Sequence, residues 1–183
     1  LAAYSVGVMA ACLADSRRFS KGRKAFGRPI GKHQSVAFMI ADMAMKYEAS
    51  RLLLYETAWL FDRAYGTADE DAGFEDATTA SQRGGGAATL TRAADQKKQK
   101  KRKITHNGQA VDLTARAASV KLLASTYARE VANLAVQVHG GAGYMEEYRV
   151  CRMYRDVKLA EIGGGTSEIQ KQIIARSEQK RVR

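Results

Sequence analysis

Along the 183 residues, side chains and glycines able to do chemistry gather in three segments. The first is Arg23-Lys24-Ala25-Phe26-Gly27-Arg28-Pro29-Ile30, with Gln34 just beyond it. The second is Ala135-Val136-Gln137-Val138-His139-Gly140-Gly141-Ala142-Gly143-Tyr144. The third runs from Arg155-Asp156-Val157-Lys158 into Ile162-Gly163-Gly164-Gly165-Thr166-Ser167-Glu168-Ile169-Gln170. Arg23 offers a planar fork of donors that matches a pyrophosphate. Glycines at 140, 141 and 143 remove side chains, so backbone N–H groups can face an anion or a nucleotide ring. The glycine run before Thr166 ends where a helix begins, a second place suited to an anion. The joint pattern therefore suits a phosphate-rich ligand. Taken singly, each feature has a plainer meaning: Gly140 and Gly141 as a helix stop, Thr166 as a cap, Arg23 as a solvated cation, His139 as a packing or dipole partner. Arg155 and Asp156 read as structural, ion-paired between helices, and His33 and His106 carry no signal. No Cys/His spacing suits a metal; Cys12 and Cys151 are expected to be free buried thiols in a reducing compartment.

Long helices must carry these segments. Between His33 and Asp62, Val36, Ile40, Met43, Tyr47, Leu54, Ala58 and Phe61 recur mostly at steps of three and four. Leu52, Leu53 and Trp59 add apolar surface on other sides, so this helix is expected to be buried all round. Another helix holds Val8 to Phe19, already under way at Leu1, and the two are separated by a break at 26–29. A third runs from about Leu113 to Val138. It pairs an apolar stripe with Ala124, Ala128, Ala132 and Ala135, which would admit a neighbouring helix closely. A shorter segment follows from about Glu146 to Leu159, and a last helix starts at Thr166, with Thr166 as N-cap and Glu168 complementing the dipole. With no strand pattern, the expected fold is an all-α, antiparallel four-helix bundle, one domain over 1–183.

The net charge of +11 raises nucleic-acid binding as a function class. Much of the excess sits in one run, Lys97, Lys98, Lys100, Lys101, Arg102 and Lys103, and in Lys180, Arg181 and Arg183. That run lacks interleaved aromatics for base stacking, so specific nucleic-acid binding is not expected. It lies in a stretch, about 66–108, whose acidic, glycine and basic blocks read as a low-complexity insertion into a loop. No apolar run approaches the roughly 18 residues that span a bilayer. The chain opens at Leu1 directly in helical sequence, which reads as a piece of a longer protein.

In this order and at these separations, the three segments resemble the C-terminal domain of acyl-CoA dehydrogenases, over residues 1 to about 65 and about 112 to 176. The resemblance implies FAD as cofactor. It implies Arg23, Phe26, Gln34, Gln137, Val138, His139, Gly140, Gly141, Thr166, Ser167 and Glu168 as its contacts, largely to a flavin held by the neighbouring subunit. It implies Gly164 and Gly165 beside an acyl-CoA substrate, where they give room for the acyl chain and a backbone N–H for the thioester oxygen. It further implies a homo-oligomer, dimer or tetramer, with electron-transfer flavoprotein as acceptor. The setting would be the mitochondrial matrix in a eukaryote or the cytoplasm in a bacterium.

The reaction of that family needs a base to remove a proton beside the thioester carbonyl. Many members carry a glutamate where this chain has Gly164, and glycine cannot accept a proton. In a branch similar to isovaleryl- and long-chain acyl-CoA dehydrogenases, the glutamate sits on the first helix of the bundle. Matched here, it falls about one turn upstream of Leu1. No catalytic residue is therefore expected within the 183 residues, and the piece alone is expected to be inactive. Glu161, the nearest carboxylate, matches a non-catalytic position. Three readings stay open: a dehydrogenase or an oxidase of the same fold, a basic helical module for nucleic acid or an acidic partner, and a member that has lost its chemistry.

Overall fold

The computed structural model describes residues 1–65, 104–106 and 109–181. Helix α1 spans Ala2–Gly22, α2 Gln34–Tyr65 and α3 Leu113–His139. Short helices α4 (Gly141–Tyr144), α5 (Arg149–Asp156) and α6 (Lys158–Ile162) follow, then α7 (Ser167–Arg181). The expected all-helical architecture is what folds, and the two-stranded pairs among the described residues are short hairpins. The chain divides into two compact units, Leu1–Tyr55 with the residues from Thr114 onward, and Glu56–Leu113.

In the first unit, α1 presents Ser5, Met9, Cys12, Ser16 and Ser20 inward at steps of four, three, four and four, the helical period. Of these, Met9 and Cys12 join Met43 of α2 and the fully buried Ala124, Ala128, Ala132 and Ala135 of α3 in one core. Alanine has no side chain beyond Cβ, so it lets the neighbouring backbones close in and leaves room for methionine to fill the gaps. Phe19, near the end of α1, stacks on His139 at the end of α3, so these two helices run the same way and α2 returns between them. The chain then descends beside α1: Arg149 pairs with Asp15, the Cys12 thiol faces Met153, and Gly163 comes within reach of Leu1. Lys46 of α2 and Glu130 of α3 form an ion pair of 2.8 Å across the bundle.

Two expectations for the helices need correction. The segment expected at about 146–159 is two helices, α5 and α6, joined at the buried Val157. Helix α2 is not buried all round: Phe38, Met45 and Leu52, spaced by seven, are 61%, 62% and 53% exposed. Its inward face is Ile40, Met43, Tyr47, Ser50 and Leu54. The periodicity identified the helix correctly, but apolar residues on a second face do not by themselves supply a partner.

Burial drives the Cys12 thiol up to about 12, with the charge of Asp15 adding to the effect. At pH 8 the thiolate is therefore negligible, and thiolate is the nucleophile. Native protein treated with iodoacetamide at pH 8 is expected to take the label at the partly exposed Cys151 and not at Cys12 until it unfolds. Mass spectrometry of the peptides checks this.

The second unit gathers Leu60, Ala64 and Leu113 with Phe61, Tyr65, Ile104 and Val111. Strands β3 (Thr105–His106) and β4 (Gln109–Ala110) pair antiparallel. His106 is placed after all: its Nε2 lies 3.2 Å from Glu56 Oε1 and its ring meets Trp59 edge-on, with Arg63 over the indole at 4.8 Å. The stretch marked as an insertion thus ends in packed structure, because Ile104 gives the hairpin an apolar anchor. The rest of that insertion, with the run from Lys97 to Lys103, lies outside the described residues. Among the described residues no helix is long and apolar enough to cross a membrane, and no cluster could hold a metal ion.

Candidate functional site at two ends of the bundle

At the closing end of α1, the chain makes a tight hairpin, β1 (Lys24–Ala25) against β2 (Arg28–Pro29), with Lys24 opposite Pro29 and Ala25 opposite Arg28. Its two turn residues, Phe26 and Gly27, have φ of 51° and 76°, the left-handed pair that a two-residue hairpin favours. Glycine takes this conformation freely; a phenylalanine there costs about 1–2 kcal/mol. The Phe26 ring is nevertheless 95% exposed, so the backbone is held in this conformation without the ring burying anything. His33, expected to be silent, braces the hairpin: Nε2 donates to Ala25 O at 3.1 Å, which leaves Nδ1 to accept from Arg28 Nη2 at 3.2 Å. Arg23, Lys24, Arg28, Lys32 and Gln34 are all exposed around it.

The second segment lies at the same end, through the Phe19–His139 stack of 4.3 Å. Of residues 137–141, Gln137, Gly140 and Gly141 face outward, while Val138 and His139 are buried. His139 Nδ1 donates to Ala135 O at 2.7 Å and its ring also meets Tyr148, so the imidazole serves packing. Gly140 has φ of 58°, and a Cβ on Gly140 or Gly141 would meet nothing within 4 Å. The backbone is bare there. Gly143 differs: a Cβ would come within 2.6 Å of Val136 O, so this glycine lets the chain close against α3.

The third segment lies elsewhere. A Cβ on Gly164 would sit 2.8 Å from Leu1 Cδ1, which places the glycine turn at the opening end of α1. The twenty-one residues of α1 separate the two ends by about 30 Å. The cofactor residues expected from the sequence are thus split: Arg23, Phe26, Gln34, Gln137, Gly140 and Gly141 at one end, Thr166, Ser167 and Glu168 with Gly164 and Gly165 at the other.

At this second end a cavity of about 380 Å³ is lined by Arg129, Lys158, Glu161, Ile162, Thr166, Ser167 and Glu168. The Glu161 carboxylate accepts from Arg129 Nε at 2.7 Å and from Lys158 Nζ. Burial would raise its carboxyl, but the hydrogen bonds from Lys158 and Arg129 and their charges win and hold it below the ordinary value. A carboxylate so stabilised is a poor base. Glu168 is held low by its own backbone N–H and by the Thr166 hydroxyl, so Thr166 tightens the first turn of α7 through that carboxylate. Arg155, inside α5, pairs with Glu146 at 3.0 Å and not between long helices, because Glu146 stands only nine residues earlier, in the turn that leads into α5. Lys158 belongs to the third segment, whereas Arg129 and the buried Lys121 were not foreseen as parts of this end.

A hairpin of exposed cations beside bare glycines at one end of α1, and a glycine turn beside a polar cavity at the other, stand on an all-helical bundle of a class with known members. The chain belongs to the acyl-CoA dehydrogenase C-terminal domain family, whose model matches residues 1–77 and 85–179. The match runs through parts of 66–111, where charged composition had hidden any likeness, and leaves only 78–84 unmatched between its two stretches. The chain is 38% identical over 176 residues to the probable acyl-CoA dehydrogenase YngJ of Bacillus subtilis, covering 96% of this chain and 34% of that protein. It is 34% identical to CarC, a subunit of the caffeyl-CoA reductase–Etf complex of Acetobacterium woodii, with 96% and 34% covered. The FAD complex of PigA superimposes with a TM-score of 0.70 at 30% identity, over 99% of this chain and 35% of that one. The chain spans about a third of the length of these relatives.

Proposed function

We propose that this chain is the helical domain of an FAD-dependent acyl-CoA dehydrogenase, and that it serves flavin and substrate at its two ends in different subunits of an oligomer. The observation that carries this is the split of the site residues by about 30 Å along α1. One nucleotide does not reach both groups of one chain in the manner their chemistry calls for, whereas two copies bring a hairpin end beside a glycine-turn end. The donor set fits the cofactor: a guanidinium, a strained exposed aromatic, two amides and bare glycine backbone suit a pyrophosphate and a planar ring.

FAD, when bound, accepts hydride from the carbon β to the thioester. Arg23 and Phe26 hold the nucleotide of the neighbouring subunit, with Gln34, Gln137, Gly140 and Gly141 beside them; Val138 and His139 support that surface from within. Thr166, Ser167 and Glu168 bind at the other end, and Gly164 and Gly165 lie beside the acyl chain and direct backbone N–H toward the thioester oxygen. The proton next to the carbonyl goes to a carboxylate about one turn upstream of Leu1 along the direction of α1. The contact of Leu1 with Gly164 puts that face of the helix against the glycine turn. Electrons pass to an electron-transfer flavoprotein, the type of partner named in the CarC complex, and a bacterial member works in the cytoplasm.

Replacing Arg23 with Ala is expected to weaken FAD about tenfold or more, the worth of a charge-assisted contact. Flavin released on dilution, followed by fluorescence, measures it. Retention equal to the parent protein would overturn the place of Arg23 on the pyrophosphate.

A further inference from the structure

The glycine turn has no side chains of its own to fix its shape, yet Gly164 and Gly165 take defined φ of 62° and 95°. Something outside it must impose that shape. Lys121, on the buried face of α3 and only 8% exposed, donates from Nζ to Glu161 O at 3.0 Å and to Gly165 O at 2.7 Å. These carbonyls lie at the two ends of the turn. Gln170, 6% exposed on α7, donates from Nε2 to Gly164 O at 3.1 Å and Gly165 O at 3.2 Å. The peptides are trans, so each C=O points opposite to the N–H of the following residue. Carbonyls drawn toward Lys121 and Gln170 therefore turn the N–H groups of Gly165 and Thr166 to the other side of the turn.

We propose that Lys121, with Gln170 as companion, is a positioning residue for the reaction: it pins the glycine turn so that its backbone donors face the thioester and the cofactor. This rests on the reading of that end as the acyl-CoA side of the site. A cation suits the task better than a neutral donor. Its hydrogen bonds are about twice as strong, and a charge behind the peptides polarises their N–H groups toward whatever oxygen they meet. Burial makes the ammonium harder to keep charged, and the nearby Glu161 and Glu168 oppose that.

The test uses the natural full-length protein loaded with FAD, with Lys121→Met, which keeps length and apolar packing but removes the donors. Hydrogen–deuterium exchange of the amides of residues 163–167 is expected to rise about tenfold or more, the loss of one to two charge-assisted bonds, with α1 and α3 unchanged. The rate of flavin bleaching by butyryl-CoA or isovaleryl-CoA, per bound flavin, is expected to fall by a similar factor, while the dissociation constant moves much less. Unchanged exchange in 163–167 would overturn the proposal. So would a lower melting temperature and lost flavin with a normal rate per bound flavin, since that is a purely structural role. If Lys121→Met does not fold, Gln170→Leu loosens the same turn and carries both readouts. If exchange rises as expected but no acyl-CoA bleaches the parent protein, the pinning of the turn stands and the reading of the site as an acyl-CoA site fails.

Discussion

Mixed assemblies of two damaged chains are expected to regain part of the flavin reduction that each chain alone has largely lost. Arg23→Ala injures the hairpin end. Gly165→Ala injures the other, because a Cβ there would come within 2.7 Å of Gln170 Nε2 at a φ of 95°. If each flavin lies between the hairpin end of one subunit and the glycine-turn end of its neighbour, a homo-oligomer of either variant has every site injured. In a two-fold pair made of one chain of each kind, one site carries both lesions and the other carries none. Random mixing makes half the pairs mixed, so about a quarter of all sites are intact, well above the roughly tenfold losses expected of each variant alone. Co-expression with two affinity tags, followed by stopped-flow bleaching with acyl-CoA, reads this directly. Both ends serving the flavin of one chain would give no recovery on mixing, and the two-subunit reading would be lost.

The same split shows what a sequence can and cannot disclose. Residue types and order were enough to select Arg23, Gln34, Gly140, Gly141 and the turn before Thr166, because guanidinium, amide and bare backbone keep their chemistry wherever they fold. Their separation in space was legible only once α1 was known to be continuous from Ala2 to Gly22, with its ends against His139 and Gly164. Phe26 shows the opposite limit: its type was noticed, but its positive φ belongs to the hairpin register, which two residues on each side cannot announce. Gly143 looked like its neighbours at 140 and 141, yet it answers to Val136 O, a contact across the helix end that spacing does not encode.

Lys121 carried a signal that went unread. It falls at the helical steps that lead to Ala124, Ala128 and Ala132, all fully buried, so a lysine there interrupts an otherwise small and apolar face. A long cation on a buried face must find acceptors, and finding them was the missing inference. Leu52 and Trp59 misled in the other direction, since apolar type was read as burial, yet they are 53% and 40% exposed.

Introducing a carboxylate at Gly164 is expected to lower activity, although many relatives of this domain are read as carrying one at the matching position. Two physical effects add. The φ of 62° suits glycine, and another residue there costs about 1–2 kcal/mol unless the turn rearranges. Its Cβ would also crowd Leu1 Cδ1 at 2.8 Å, which the flexible leucine can relieve only by moving on α1. A third effect is electrostatic. Leu1 touches this position, so a base about one turn upstream, some 5 Å along the helix, would share the pocket with the new carboxylate. Two carboxylates in one pocket do not both ionise readily, and one of them is held protonated at neutral pH. Gly164→Glu is therefore expected to slow anaerobic flavin bleaching by branched acyl-CoA, with flavin retained. Exchanging the upstream glutamate for glutamine is expected to abolish bleaching altogether, since no remaining group takes the proton. Joining the two changes leaves a single carboxylate on the other wall of the same pocket, and slow bleaching by straight-chain acyl-CoA is expected to return. Bleaching at the parent rate in the upstream glutamine variant would place the base elsewhere and remove the reason for a glycine at 164.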